Sequence, residues 1–239
     1  MSLLVICHLS LVIAESRDFL PFGVGEKLIY SVEYGFVHAG KATMEVREIS
    51  EVDGVACYHL ISEEETNPFF SMFFRIEDRY DSYIDTTNLV SLQYEKHIRE
   101  GDYKNDSVVQ FDLDSLLAIY SDGKRIEIRP HARDIIATLY YLRTLDLVVG
   151  DTFFVENHTD GKNTQLEVAV LKKEEVKTPA GKFNALLVQP DLKETKIFGS
   201  RKGLKVWFTD DEWKIPVKIE SELVFGSIQA IMNELQFGY

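Results

Sequence analysis

The stretch Gly25-Glu26-Lys27-Leu28-Ile29-Tyr30-Ser31-Val32-Glu33-Tyr34-Gly35-Phe36 decides the fold. Behind Gly25-Glu26, the apolar residues Leu28, Tyr30, Val32, Tyr34 and Phe36 occupy every second position, with mostly polar residues between them. Side chains of an extended chain alternate between faces, so this pattern predicts a half-buried strand. Gly40-Lys41 leads into Ala42, Met44 and Val46 at the same period, and Asp53-Gly54 supplies residues that tolerate the positive φ of a tight hairpin. The chain therefore begins as an antiparallel meander.

Outward from this start the pattern repeats. Val55 to Ile61 reads as a strand, and Phe73 to Asp85 as a fourth, with Phe74, Ile76, Tyr80 and Ile84 on one face. Its other face alternates in charge through Arg75, Glu77, Arg79 and Asp81, a solvated ladder whose cross-strand pairs each contribute roughly 0.2–1 kcal/mol. Leu89 to Glu100, Tyr103 to Asp112, Leu116 to Ser121 and Lys124 to Arg129 continue the meander, with turns at Gly101-Asp102 and Asp122-Gly123.

One helix is predicted, over Ala132 to Leu145. It follows Pro130, Asp134 caps or charges its first turn, Ile135, Ile136, Leu139 and Leu142 fall at helical spacing, and Arg143 lies in its last turn. A helix inside an all-β pattern must cover an open end of the sheet or pack across one face. Strands resume at Thr152 to Asn157, Thr164 to Lys172, Phe183 to Gln189, Leu204 to Thr209, Ile215 to Phe225 and Ile228 to Phe237, with hairpin turns at Asp160-Gly161 and Gly226-Ser227. Gly25-Glu26-Lys27-Leu28 is echoed by Gly150-Asp151-Thr152-Phe153, Gly40-Lys41 by Gly161-Lys162, and Gly54 by Gly181. Either a duplicated meander or the ordinary recurrence of hairpin restarts produces such an echo. The fold class is thus all-β and mainly antiparallel, a curved meander sheet or half-open barrel with one inserted helix near 132–145.

The 239 residues carry 45% hydrophobic and 27% charged side chains, the balance of an ordinary globular protein. No Pro-, Gly- or Ser-rich linker divides them, which favours one continuous sheet system. A net charge of −13 argues against nucleic acid as a partner, because phosphate binding needs a cationic face, and equally against adhesion to anionic lipid headgroups. Leu3 to Ala14 is an apolar run broken by Cys7, His8 and Ser10, ending in Val12-Ile13-Ala14 before Glu15. It reads as a secretory leader over 1–14, atypical in having no Lys or Arg after Met1, followed by a single β domain over 15–239. The competing reading is a buried N-terminal element. The run is too short to span a membrane, which takes about 20 apolar residues, so no transmembrane span is expected in the mature chain. Removal of the leader would leave Cys57 as the one cysteine, with no intramolecular disulfide possible. The expected location is periplasmic or otherwise extracytoplasmic.

Phe22, Gly25, Glu26, Leu28, Tyr30 and Gly40, then Asp134 with Tyr141-Leu142-Arg143, then Gly150, Pro179, Gly181-Lys182-Phe183, Trp207-Phe208-Thr209-Asp210-Asp211 and Pro216-Val217 form an ordered set. In that order and spacing the chain resembles the DUF3108 family over nearly all of its mature length. The resemblance implies a mostly bacterial, exported protein with a curved antiparallel sheet and an inserted helix, similar in outline to the half-barrels of the lipoprotein carriers. It brings no catalytic residues. The chain departs from the commoner pattern at Ala137, where serine is frequent, and in its short leader.

The residues offer few chemical sites. The six histidines, at 8, 38, 59, 97, 131 and 158, form no local ligand pair, and no cysteine cluster supplements them, so neither a metal nor a cofactor is expected. His59, in step with Cys57 and Ile61, reads as a satisfied core histidine. Asp210-Asp211-Glu212 reads as a turn rather than a calcium loop. Lys196, Arg201, Lys202 and Lys205 form the basic cluster of an acidic chain: a mobile solvated loop, or a small-anion or headgroup site at the sheet's rim. Arg143 pairs with a carboxylate under the helix, Trp207 belongs to the core, and Trp213 is the ligand-facing ring. Asn105-Asp106-Ser107 and Asn157-His158-Thr159 are glycosylation sequons, without meaning in a bacterial envelope protein.

One helix cannot cover so wide a sheet, so either the sheet closes on itself or part of its apolar face lines a pocket. The leading expectation is a non-catalytic envelope protein that binds an apolar, lipid-like ligand or an extended envelope partner. The expected ligand-binding residues are Leu139, Leu142, Arg143, Trp213, Arg201 and Lys202. The alternatives are an enzyme acting on an envelope polymer and an assembly factor pairing through a strand edge.

Overall fold

A computed structural model of the protein describes residues 19–191, 203–223 and 226–238. The leader of residues 1–14 and the basic residues Lys196, Arg201 and Lys202 lie outside the described residues. Alternating burial produces the first hairpin: Leu28 and Tyr30 in β1 (Lys27–Tyr34) and Ala42, Met44 and Val46 in β2 (Val37–Val52) all point to the core. The alternation ends at Val32, and Phe36 stands in the turn between the two strands, fully exposed. It does not belong to the buried face that the sequence period assigned it.

The meander continues through β3 (Val55–Thr66), β4 (Glu77–Asp85), β5 (Ser91–Glu100), β6 (Tyr103–Asp112), β7 (Leu117–Tyr120) and β8 (Arg125–Glu127). After the helical segment come β9 (Thr152–Thr159), β10 (Lys162–Thr178), β11 (Gly181–Pro190), β12 (Gly203–Thr209), β13 (Pro216–Glu222) and β14 (Ser227–Gln236). Among the described residues these form one antiparallel sheet of fourteen strands, in the order β8-β7-β6-β5-β4-β3-β2-β1-β14-β13-β12-β11-β10-β9. The terminal strands β1 and β14 pair in its middle, from Lys27 opposite Gln236 to Tyr34 opposite Ile228. The two echoing Gly-acid segments each open one of the two meanders that this pair joins. Register shifts in β1, β2, β4, β10 and β12 insert the bulges that bend a long sheet.

The sheet does not close. Its edges, β8 and β9, face each other across a seam held by side chains: Asn163 Nδ2 donates to the Glu127 carbonyl at 2.7 Å, and Arg129 meets Glu156 at 3.0 Å. Behind them, the Arg133 backbone bridges to β9, donating to Glu156 O and accepting from His158 N.

Among the described residues two helices interrupt the strands, not one. The expected helix is α2 (Ile135–Arg143), shorter at both ends than predicted. The other, α1 (Pro68–Ser71), is a single turn started by Asn67, whose side chain accepts from Phe70 N at 2.9 Å, with Pro68 at the first helical position. It displaces the start of the fourth strand from Phe73 to Glu77. Phe69, Met72, Phe73 and Phe74 are exposed in this excursion, so Phe74 is not on a buried strand face. The charged ladder that follows is only partly solvated. Asp81 is buried, bonded to His59 at 2.7 Å and to Arg79, and these partners outweigh burial and lower its pKa to about 2. His59 is stacked on Tyr83, the satisfied histidine expected of it. Cys57 is fully buried.

A cavity above a buried helix

Both ends of α2 are tied to opposite parts of the sheet. At its N-terminus the buried Asp134 carboxylate accepts from Ile136 N and Ala137 N through Oδ1, and from the Ser82 and Ser91 hydroxyls of β4 and β5 through Oδ2. Burial pushes its pKa up against the pull of these four bonds. At the C-terminus, Arg143 forms a buried ion pair with Glu26, just before β1, and donates to the carbonyls of Pro21 and Trp213. Arg133 braces the entry to the helix: it donates to Leu89 O and Asn88 O, and its guanidinium lies 3.7 Å from the centre of the Tyr141 ring. The helix thus lies across the concave face of the sheet as a strut.

Below the strut, Ala137 and Tyr140 pack into the main core, with Tyr140 edge-on to Phe22. Above it, Ile135, Thr138, Leu139 and Leu142 form the floor of a cavity of about 490 Å3. Tyr80 and Tyr94 wall it on the β4–β5 side, and Leu166, Val188, Val206 and Ile219 on the other. Glu64, Lys96, Glu100 and Asp160 line its far end, near the Gly101 and Gly161 turns and the α1 excursion. Lys96 and Asp160 are ion-paired there, linking β5 to the β9–β10 turn across the seam.

The expected ligand residues separate into groups. Leu139 and Leu142 line the cavity. Arg143 does not, because its guanidinium is committed beneath the helix to Glu26 and two carbonyls. Trp213 lies by the opposite end of the helix from the cap, half-buried between the rings of Phe19 and Phe237 and outside the cavity lining. Trp207 is in the core, its Nε1 donating to Glu174 at 2.8 Å. Asp211 closes the turn foreseen at 210–212, accepting from the Thr209 hydroxyl, Trp213 N and Lys214 N. Thr138 and Thr159, neither of them among the expected ligand residues, also line the cavity. The signal for Thr159 was its place two and four residues beyond Asn157 and Val155, on one face of a strand assumed to end at Asn157.

Among the described residues no group of three or more His, Cys, Asp or Glu side chains is arranged to hold a metal ion. No helix among them is long and apolar enough to cross a membrane. The buried aspartates serve the framework: Asp78 accepts from Arg99 N, and Asp81 and Asp134 are hydrogen-bonded to side chains of neighbouring strands.

An open, antiparallel, barrel-like sheet with a helix laid across its concave face is the class of protein these features define. The chain belongs to the DUF3108 family, described as proteins of unknown function, whose model matches residues 29–233. Among solved structures it is similar to the β-barrel-like DUF1849 protein of Brucella abortus, with a TM-score of 0.60 at 9% identity, covering 91% of this chain and 99% of that one. That likeness is one of fold. A candidate lipoprotein of Parabacteroides distasonis aligns with a TM-score of 0.38 at 13% identity over 91% and 98% of the two chains. A DUF1089-family protein of Pseudomonas aeruginosa aligns with a TM-score of 0.38 at 11% identity over 74% and 87%. No curated protein matches the chain.

Proposed function

We propose that this protein is an exported, non-catalytic carrier that shelters an apolar, lipid-like ligand in the cavity above α2. The observation that carries the reading is the cavity itself: about 490 Å3, floored by Leu139 and Leu142 and walled mainly by aliphatic and tyrosine side chains. That volume lies within the roughly 300–1,000 Å3 of small-molecule sites, and the charged groups of the lining, Glu64, Lys96, Glu100 and Asp160, gather at one end. Export rests on the leader reading of Leu3 to Ala14, with mature protein beginning at Glu15. A strand-pairing assembly role has less to work with, since the edges β8 and β9 face each other and β9 is already bridged by Arg133.

Titration of the purified protein with an uncharged apolar fluorophore, N-phenylnaphthylamine, tests the reading. Saturable binding is expected, weakened at least tenfold by Leu139→Asp, which puts a charge on the cavity floor, and by Leu139→Trp, which fills it. Both variants should remain folded by circular dichroism, because Leu139 is only partly buried. An absence of binding in the wild type, or equal binding in folded variants, overturns the carrier reading.

A further inference from the structure

The cavity wall carries a polar group, Thr159, whose hydrogen bonds do not close among the described residues. Thr159, 4% exposed, lines the cavity, and its hydroxyl has no partner. Two residues earlier on the same face of β9, Asn157 is 2% exposed, and its Oδ1 is likewise without a partner. Its Nδ2 donates to the Thr138 hydroxyl at 3.2 Å, and Thr138 also lines the cavity. The orientation of the amide is fixed by chemistry: the Thr138 proton is given to Asp134 O at 2.8 Å, so Thr138 can only accept from Asn157. Oδ1 is therefore an acceptor in need of a donor. Buried polar groups of folded proteins are nearly always paired, and two orphans on one strand face beside a cavity mark a place for a polar group from outside the chain.

We infer that the ligand of this cavity carries an uncharged hydroxyl on its apolar body, seated against Thr159, with Asn157 behind it on the same face of β9; the inference rests on the carrier reading above. A hydroxyl donates to Asn157 Oδ1 and exchanges hydrogen bonds with Thr159 in either sense. An ionised carboxylate brings no donor to Oδ1. It would also approach the end of the cavity where Glu64, Glu100 and Asp160 gather and where Lys96 is already paired with Asp160. A pure hydrocarbon would leave both polar atoms unmet.

Displacement of a bound fluorescent probe by monolauroylglycerol, laurate and dodecane tests this on the full chain. The wild type is expected to prefer the monoglyceride over both others by about tenfold, the worth of one well-made hydrogen bond. Thr159→Val, which keeps the side-chain shape and removes the hydroxyl, should erase that preference, leave dodecane binding unchanged and keep or raise the melting temperature. A preference for laurate, or the same ranking in wild type and Thr159→Val, overturns the inference while leaving the carrier reading intact. Failure of the probe itself to bind overturns both. A crystal structure with monolauroylglycerol provides a second decision: a ligand hydroxyl within hydrogen-bond distance of Thr159 Oγ1 or Asn157 Oδ1 supports the inference, and both atoms bonded to ordered water instead overturns it.

Discussion

Arg143 and Glu26, 117 residues apart in the chain, form a two-pronged ion pair with N···O distances of 2.6 and 2.7 Å, their side chains 1% and 2% exposed. The carbonyls of Pro21 and Trp213 accept from the Arg143 Nη2, and Trp213 O from its Nε as well, and the rings of Phe22 and Tyr140 lie beside the guanidinium. Burying two charges is tolerable only when their hydrogen-bonding capacity is filled in this way. The pair fastens the C-terminal end of the cavity floor to the start of the first strand.

Removal of either partner leaves an uncompensated buried charge. Glu26→Gln and Arg143→Met should each cost about 3–5 kcal/mol, and the double variant distinctly less than their sum. Urea denaturation of the four proteins measures this. Additive losses would mean that the two groups do not act as a pair.

The other end of the floor depends on Asp134. Asp134→Ala removes a helix cap, worth about 1 kcal/mol, and strands the buried Ser82 and Ser91 hydroxyls, so a total loss of about 2–4 kcal/mol is expected. Adding Ser82→Ala to Asp134→Ala should cost little more, since its hydroxyl has already lost its acceptor. Chemical denaturation decides it.

The seam titrates through His158. Gly161 N donates to the Tyr120 hydroxyl, so Tyr120 gives its own proton to His158 Nε2, and His158 Nδ1–H donates to Asn163 Oδ1. This arrangement needs neutral imidazole, and burial lowers the His158 pKa while raising that of Tyr120 to about 12. With the folded pKa below the unfolded value of about 6.5, the unfolded chain takes up the proton first. The contribution of His158 is complete above pH 6.5 and declines as the pH falls below it. Protection factors at β8 and β9, which correct for the slower intrinsic exchange at lower pH, should therefore fall from pH 7 to pH 5.5, and His158→Gln should flatten that dependence. An unchanged profile in His158→Gln would remove His158 as its cause.

Period-two patterning made the meander legible, from Leu28 to the last hairpin, because strands half-buried on a curved sheet display their burial in every second residue. Asp134 and the spacing of Ile136, Leu139 and Leu142 did the same for α2. Asn67-Pro68 signalled α1 equally clearly, but Phe74 and Ile76 happened to continue the alternation of Tyr80 and Ile84, and period two was read through a helical turn. The closing pair of β1 and β14 left no local trace, since a register between strands roughly 200 residues apart is set by what their faces bury together. The same holds for the site. Leu139 and Leu142 were readable as an apolar helix face and Arg143 as the partner of a carboxylate under the helix, whereas nothing near Arg143 in sequence announces that Glu26 is that partner and holds it away from the cavity. Thr159 and Asn157 read as a sequon because an unpaired hydrogen-bonding atom has no mark in the sequence.

Native mass spectrometry of the full protein after gentle purification addresses the central claim most directly. A mass excess matching a lipid-like molecule, released on denaturation and reduced in Leu139→Trp, is the expected result. A wild-type protein of bare polypeptide mass, together with an experimental structure whose interior above α2 is filled by its own side chains, would contradict it.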